Sequence, residues 1–544
     1  MFLRGNRTYN TNLGYYQYLS TKLSYRSGIL LICIPLILSA YTHLWNTIGF
    51  PSVHVDEGHY MRRAMLVING LGPQETDGSY TQQYDHPYFG QIFLGGVLSL
   101  VGYPDLYISS EGNSIQTAQS LYLVPRVLMG ILAVVDTFLI YKITEQRYNR
   151  RVAFIAAVIF AVIPLGWMLR RIFLEPISLP LVLSSILFAV CCTRDGRYKS
   201  NAKNISLVLL SGIFLGLAIF TKIPLFAIIP LVGSLIYFNN KNLKLLGLWF
   251  IPVILIPLIW PTYAFYIGDF DKWWDGTLWQ ADRHNKPLFV SMSVFSKLDP
   301  LLFFLGMAGI AYTAVKRDFF PLLWIIPPLL FFAIQDFTRI YFWIPLFPAF
   351  CIGAAFMITD LSAKISKNKK KVKQLAFATV SAIAIFGLIS TTMLITTNLN
   401  SSFFAVYGFI IQNLQNSFDN SINDYTDNKG VTLIGDHWIA GFAWIPKEVL
   451  DHKLDYRKFY FTHQPIKTEK ILLIVSGTFN EYLEKGIFRG KQQETNEDKK
   501  ILFDSAETIA KFQDNVINYD ENRYPYTSMS DNRGIGNIEI RANY

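Results

Sequence analysis

The sequence has 544 residues, of which 51% are hydrophobic and 16% are charged, and its formal net charge is +10 at pH 7. Soluble proteins carry roughly 25% charged residues, and the mean hydropathy of +0.28 reflects long apolar runs. This composition excludes an ordinary soluble protein and indicates a polytopic membrane protein. The charge asymmetry of membrane loops accounts for the positive net charge, so we expect no nucleic-acid partner.

A membrane-spanning helix needs roughly 20 apolar residues. About eleven runs of the sequence satisfy this rule: 28–49, 122–143, 152–169, 172–192, 205–222, 224–238, 245–266, 299–315, 319–335, 340–360 and 374–397. The basic segment 1–27 precedes a run of spanning length without a small-residue cleavage site, which predicts a retained first helix. We therefore expect a cytoplasmic segment 1–27, a membrane domain 28–397 and a further domain 398–544.

Every second loop between these runs is basic. The basic loops are 145–151, 193–204, 239–244, 316–318 and 362–373. The positive-inside rule places these loops and the N-terminus in the cytoplasm, and everything else outside, for a multi-pass protein of the cell membrane. Arg170, Arg171 and Lys222 break this pattern. Either they have an anionic partner at the outer face, or the assignment is locally wrong.

The first outer loop, 50–121, is long and contains two helical patterns. Residues 58–70 have helical spacing, and 86–102 are apolar but too short for a comfortable span. Both patterns are typical of interfacial helices that lie along the membrane surface.

The composition becomes polar after residue 397. Strand-like runs occur at 430–435 and 470–476, and an amphipathic stretch occurs at 501–513. These patterns predict a small extracytoplasmic α/β domain within 398–544, with its main body over 415–544.

The adjacent carboxylates Asp56 and Glu57 open the first outer loop, between His54 and His59. Ionisable groups at a bilayer cost free energy and are kept mainly where they act on or pair with something. Neighbouring residues on a helix do not share a face, so Asp56 is our candidate for chemistry and Glu57 for support or metal binding. The alternative is an acidic helix N-terminus, which needs no catalytic role.

Several other ionisable residues are predicted to fall at the same membrane face. They are Asp85, His86, Arg126, Glu175 and Arg339. Each has a structural alternative: an aromatic interface belt around His86, a side chain reaching headgroups for Arg126, or an ion pair of Glu175 with Arg171 at i−4. Their shared position favours the functional interpretation.

These motifs in this order resemble those of the membrane-embedded GT-C glycosyltransferases that use polyprenyl-phosphate sugars, in particular protein O-mannosyltransferases and aminoarabinose-to-lipid-A transferases. The Asp56-Glu57 pair matches the family's Asp-Glu pair. The family's Asp-x-His-Pro-Pro-Leu-Gly-Lys stretch resembles Asp85-His86-Pro87-Tyr88-Phe89-Gly90-Gln91. Further matches in type are Arg126 to Gly130, Glu175, and the segment Arg339 to Pro348.

The resemblance covers roughly residues 28–397 and includes three departures. Tyr88 replaces the second proline, Gln91 replaces the lysine, and Glu175 replaces an aspartate. Loss of the lysine removes one expected phosphate contact.

The resemblance implies an enzyme with a GT-C-like helical fold. It would transfer a mannose-like hexose, with inversion, from a polyprenyl or dolichyl phosphate to a hydroxyl of a protein Ser/Thr, a lipid or a glycan. An acceptor hydroxyl needs a positioned base, for which Asp56 is the candidate, whereas the leaving phosphate needs cations. The expected catalytic residues are Asp56, Glu57 and Glu175. The expected donor-phosphate ligands are Arg126, His86 and Arg339.

Four more residues are candidates for sugar or acceptor binding. They are Asp85, Tyr60, Arg283 and Lys286. A divalent cation such as Mg²⁺ or Mn²⁺ could bind Asp56, Glu57 and Asp85, but no ligand spacing requires it, so no cofactor is firmly expected.

Two alternatives come from other classes of protein. A flippase or transporter of lipid-linked sugars would need ionisable groups near the membrane midplane and repeated halves, whereas these charges gather at one face. A non-catalytic receptor would place its working part in 415–544.

Overall fold

The computed structural model describes residues 31–73, 84–108, 113–192, 202–284, 286–365, 368–419, 431–435, 441–450, 454–458, 470–476, 503–513 and 538–543. Most of this part is helical. The α-helices are α1 (Leu31–Leu44), α2 (Val55–Ile68), α3 (Phe89–Leu100), α4 (Ser114–Arg147), α5 (Arg150–Val162), α6 (Leu174–Cys191), α7 (Ala202–Thr221), α8 (Ile229–Asn240), α9 (Leu243–Leu255), α10 (Ile259–Tyr266), α11 (Phe270–Ala281), α12 (Leu288–Leu298), α13 (Pro300–Val315), α14 (Phe320–Gln335), α15 (Phe347–Ile365), α16 (Lys369–Ile395), α17 (Ser401–Asp419) and α18 (Trp444–Val449). Short 3₁₀-helices cover Asp105–Tyr107, Pro164–Arg170, Ile223–Ile228 and Ile340–Leu346.

Within the described residues, 7 helices are long and apolar enough to cross a membrane, or up to 9 if two bent pairs each count as one span. The bent pairs are α5 with Pro164–Arg170, at 73°, and α12 with α13, at 116°. Every predicted run contains a helix, but α14 and the described part of α1 are shorter than a span. The multi-pass helical architecture is confirmed, and the predicted count of about eleven is not.

The predicted helices of the first outer loop are present. α2 and α3 pack against each other, and α2 begins with a capping box in which His54 is the N-cap. The His54 N–H donates to Glu57 Oε2 at 2.9 Å, and the Asp56 N–H donates to His54 Nδ1 at 3.2 Å. The acidic pair therefore lies in the first turn of α2, and the capping box holds the Glu57 carboxylate.

The strands after residue 430 form one 5-stranded sheet in the order β2-β1-β3-β5-β4. β1 pairs in parallel with β2 and β3, whereas β5 pairs antiparallel with β3 and β4. The predicted strand runs 430–435 and 470–476 correspond to β1 and β3. The strands are β1 (Val431–Gly435), β2 (Leu454–Lys458), β3 (Lys470–Ser476), β4 (Glu507–Phe512) and β5 (Ile538–Asn543).

The sheet shares a hydrophobic core with α2 and α4. Phe403 and Tyr407 of α17 contribute to this core together with Tyr122 of α4, Leu472 of β3 and Ile540 of β5. The C-terminal part is thus built onto the same end of α4 as α2.

Two glycines bring this part close to α2. A Cβ added at Gly58 would lie 2.1 Å from the carbonyl oxygen of Gly441, so the two backbones approach more closely than any side chain permits. The described C-terminal segments therefore support the helix that carries Asp56.

Candidate active site

The two carboxylates at the start of α2 point into different environments. The Asp56 side chain is 30% exposed and lines a cavity, whereas the Glu57 side chain is 0% exposed. This division follows from their adjacency on a helix, as predicted.

Glu57 is held by a dense set of hydrogen bonds. Arg126 donates to it through Nε and Nη2, at 2.9 Å and 2.7 Å. The Tyr122 hydroxyl and the Ile172 N–H also donate to it, at 2.6 Å and 3.0 Å. Glu57 therefore ties α2 to α4 and to the segment before α6, which agrees with a supporting role and not with contact to a substrate.

The expected position of Arg126 beside a lipid phosphate disagrees with the structure. Its side chain is 0% exposed, and beyond Glu57 it donates to the carbonyl oxygens of Thr47, Pro51 and Ser52 at 3.0 Å, 2.8 Å and 3.3 Å. A guanidinium with its donors committed in this way is not available to a ligand in the cavity. The sequence indicated a cation near the outer end of a helix, but it did not indicate its partner Glu57, which is 69 residues away.

The cavity in front of Asp56 has a volume of about 320 Å³. Its polar wall combines residues of α2, the segment before α3, and α11. Its apolar wall comes from the 3₁₀-helix Ile223–Ile228, from α14 and from the 3₁₀-helix Ile340–Leu346. The polar lining includes Asp56, His59, Asp85, His86, Lys222, Gln280 and Arg283, and the apolar lining includes Ile223, Pro224, Phe226, Trp260, Phe331, Phe337 and Phe342.

Burial raises the pKa of Asp56 to about 6, and the negative charge of Glu175 adds to this effect. The positive charges of Lys222 and Arg339 act in the opposite direction. A carboxylate with this pKa is ionised at neutral pH yet basic enough to accept a proton efficiently.

Asp85 and His86 also line this cavity, and the pKa of each is shifted from its usual value. Burial raises the pKa of Asp85, but neighbouring positive charges together outweigh this effect and lower the pKa overall. The largest of these charges is that of Arg63, whose Nη1 lies 2.6 Å from Asp85 Oδ1, and Arg283 adds to it. Burial lowers the pKa of His86 to about 4, which leaves the imidazole neutral at pH 7. His86 lines the cavity, and its expected role as a ligand of the donor phosphate stays a prediction.

Glu175, at the start of α6, forms an ion pair with Lys222, whereas the structural alternative paired it with Arg171. Lys222 thus has the anionic partner that its unusual position required. Its Nζ also lies 4.5 Å from the centre of the Phe342 ring and 5.2 Å from that of Tyr341. We did not propose Lys222 as a site residue, although its departure from the loop-charge pattern was a usable signal.

Arg339 and Lys286 do not line this cavity. They line a second one of about 340 Å³, together with His54 and Arg171. Tyr341 lines both cavities. Of the predicted sugar or acceptor ligands, Asp85, Tyr60 and Arg283 therefore belong to the first cavity and Lys286 to the second.

The three carboxylates that were considered as ligands of a divalent cation, Asp56, Glu57 and Asp85, do not form a metal site. Within the described ranges, no group of three or more His, Cys, Asp or Glu residues could hold a metal ion. Glu57 is committed to Arg126, and Asp85 is paired with Arg63. Asp56, Glu57 and Asp85 therefore do not fit a divalent cation, and we derive no step that uses one.

The sequence and the fold are similar to those of known proteins. Residues 33–269 match the family model described as dolichyl-phosphate-mannose-protein mannosyltransferase, and no curated protein sequence matches the chain significantly. The oligosaccharyltransferase of Archaeoglobus fulgidus is similar in structure, with 14% identity and a TM-score of 0.54 over 83% of this chain and 69% of that one. ArnT from Cupriavidus metallidurans, bound to undecaprenyl phosphate, is similar with 13% identity and a TM-score of 0.52 over 95% of this chain and 98% of that one.

The likeness to these two structures shows a shared fold, which is GT-C-like. Together with the family match, it identifies the chain as a multi-pass membrane glycosyltransferase. Residues 33–269 carry the match to the family model of dolichyl-phosphate-mannose-protein mannosyltransferases. The family resemblance and the enzyme class predicted from the sequence are confirmed.

Proposed function

We propose that this enzyme transfers a mannose-like hexose, with inversion, from a polyprenyl-phosphate donor to a hydroxyl acceptor at the extracytoplasmic face. The observation that carries this proposal is Asp56, a carboxylate with a pKa of about 6 that faces a cavity with one apolar and one cationic side. The choice of sugar rests on the family match of residues 33–269.

The apolar wall suits the lipid part of such a donor. Phe226 is 41% exposed and its ring centre lies 5.1 Å from that of Phe331. Phe226 belongs to the candidate span Ile223–Asn240, so this wall is continuous with the hydrocarbon region. In the related structures, undecaprenyl phosphate accompanies ArnT and a dolichol-phosphate accompanies the archaeal oligosaccharyltransferase.

The donor phosphate would lie beside Lys222 and Arg283. Arg283 is stacked on Trp279, with its Cζ 3.9 Å from the ring centre, which holds the guanidinium at the cavity wall. These cations would stabilise the phosphate as the bond between it and the sugar breaks. Phosphate is a good leaving group, so no general acid is needed.

Asp56 would act on the acceptor. It accepts the proton of the acceptor hydroxyl while the hydroxyl oxygen forms the new bond to the anomeric carbon and the donor phosphate leaves with the electrons of the old bond. Attack from the side opposite the phosphate accounts for inversion. Glu175 would act through Asp56 by its charge and by holding Lys222, and it touches no substrate in this scheme.

The orientation is also part of the proposal. The basic loops support a cytoplasmic N-terminal segment 1–27, with the active site and the domain 398–544 outside. The membrane domain would then be 28–397.

The test is a transfer assay on protein in nanodiscs with a mannosylated polyprenyl phosphate. We expect Asp56→Asn to abolish transfer while undecaprenyl-phosphate binding, followed by native mass spectrometry, remains unchanged. Asp282→Asn is the matched control, because its side chain is 87% exposed. Near-normal transfer by Asp56→Asn would refute the proposal.

A further inference from the structure

Helix α11 presents polar side chains to the first cavity. Thr277 and Gln280 both line that cavity, and residues three apart on a helix share a face. A different face of α11 is apolar and open, since Trp274 is 51% exposed and Leu278 is 47% exposed. A surface helix of a water-soluble protein has the reverse arrangement, with its apolar face turned inward. The inward polar side chains of α11 therefore need a polar partner inside the protein.

Three buried donor atoms at this wall have no hydrogen-bond partner among the described residues. They are the Thr277 hydroxyl, the Gln280 amide nitrogen and the indole N–H of Trp260 in α10. All three residues line the first cavity, and Trp260 is only 3% exposed. Buried polar groups are normally hydrogen-bonded to protein, water or ligand. These donors therefore indicate a partner with oxygen atoms inside the cavity.

The position of α11 is fixed by contacts on two sides. A Cβ added at Gly276 would lie 2.6 Å from the Tyr84 carbonyl oxygen, so the helix backbone lies directly against the segment that leads into Asp85. At the other end of the helix, Gln335 Nε2 of α14 donates to the Gln280 carbonyl oxygen at 3.1 Å. Binding groups on a rigid element hold a ligand more precisely than groups on a loop. The α11 wall therefore provides a preformed surface.

The same cavity contains the groups that the proposed function assigns to the donor phosphate and to the acceptor. Arg283, three residues after Gln280, is assigned to the phosphate, and Asp56 is assigned to the acceptor hydroxyl. The hexose joins the phosphate to the carbon that is attacked. It must therefore lie next to Arg283 and within reach of Asp56, in the space that the polar side chains of α11 line.

We infer that Thr277, Gln280 and Trp260 bind the hydroxyl groups of the donor hexose and hold its ring in front of Asp56. This inference rests on the proposed function. Each sugar hydroxyl both donates and accepts hydrogen bonds, as do the threonine hydroxyl and the glutamine amide. Rotation of the side chains is sufficient to aim these two groups at a sugar oxygen. The contacts exist only when the lipid phosphate carries a hexose.

Water is the competing occupant, because it can satisfy the same donors when no sugar is bound. The two occupants differ in their effect on affinity for a lipid with a hexose and for the same lipid without one. The probes are therefore undecaprenyl phosphate and its mannosyl derivative. Each is titrated, without acceptor, into the full chain in phosphatidylcholine nanodiscs, and binding is followed by native mass spectrometry.

The double variant Thr277→Val/Gln280→Met keeps the approximate size of both side chains and removes their hydrogen-bonding groups. We expect it to weaken binding of the mannosyl lipid by about tenfold and to bind undecaprenyl phosphate as the wild type does. Thr277→Ser keeps the hydroxyl and should retain most of the affinity for the mannosyl lipid. Asp275→Asn is the control on the exposed side of α11 and should bind both lipids as the wild type does.

The inference is overturned if the double variant weakens binding of both lipids equally, because the two side chains would then support the cavity or the phosphate. It is also overturned if neither affinity changes, because water would then be the occupant. If the double variant is poorly folded, the single variants Thr277→Val and Gln280→Met are compared with the same two lipids. Failure of the proposed function would appear separately, as near-normal transfer by Asp56→Asn while the difference between the two lipids persists.

Discussion

The Arg126 guanidinium donates two parallel hydrogen bonds to the Glu57 carboxylate, from Nε to Oε1 at 2.9 Å and from Nη2 to Oε2 at 2.7 Å. Both side chains are 0% exposed. The pair joins the helix that carries Asp56 to the long helix α4. It positions the proposed base without touching a substrate.

Arg126→Met should therefore destabilise the protein. Removal of one partner from a buried ion pair costs about 3–5 kcal/mol, because the remaining charge is left uncompensated. Thermal unfolding in detergent would measure this, with Arg150→Met as the control, since the Arg150 side chain is 45% exposed in its pair with Glu145. A stably folded Arg126→Met variant that fails to bind undecaprenyl phosphate would instead support the direct phosphate contact expected from the sequence.

The raised pKa of Asp56 predicts a pH dependence. The proposed base works when it is deprotonated, so kcat/KM for transfer should fall in proportion to its ionised fraction as pH drops below about 6. A sugar-phosphate-lipid donor is a phosphodiester, so its own charge stays constant across this range. The measurement is kcat/KM from acidic to neutral pH with saturating second substrate, and a flat profile would contradict the assignment of the base.

Glu175→Gln should shift the fall of kcat/KM at acidic pH to a lower pH. The Glu175 charge raises the pKa of Asp56, and the positive charge of Lys222 lowers it. Loss of the negative charge therefore makes Asp56 more acidic, and it becomes a weaker base at neutral pH. Glu145→Gln is the control, because Glu145 pairs with Lys142 and Arg150 away from the cavity; an unchanged or higher midpoint in Glu175→Gln would show that the two acids are not coupled.

Gly58→Ala tests the close approach of α2 to the C-terminal segment. The added Cβ would lie 2.1 Å from the Gly441 carbonyl oxygen, so α2 must shift. A displacement of about 1 Å at a catalytic group can cost on the order of 100-fold in rate, so transfer should fall strongly.

Gly96→Ala is the matched substitution, because a Cβ at this helical position meets no heavy atom within 4 Å. It should leave transfer unchanged and raise helix stability slightly, by up to about 1 kcal/mol. Equal activity of the two variants would show that the C-terminal segment does not support α2.

Much of the helical architecture could be predicted from local patterns. The apolar runs identified the helices, and the spacing of residues after Gly58 identified α2, because hydropathy and helical periodicity are properties of short stretches. The division between Asp56 and Glu57 was also predictable, since adjacent helical residues face different directions. The number of spans is not confirmed, because α14 and the described part of α1 are too short to count as spans and two pairs of helices bend sharply.

The partners of the charged residues depended on packing between distant elements. Sequence spacing allowed an ion pair of Glu175 with Arg171 as the structural alternative, but the structure pairs Glu175 with Lys222, 47 residues away. In the same way, Arg126 was expected beside the donor phosphate and lies buried against Glu57. Hydropathy and charge show that an ionisable group near a membrane needs a partner. Only the packing of the helices, which brings residues from separate segments together, decides which partner it finds. The same packing decides that Arg283 lines the first cavity and Arg339 the second.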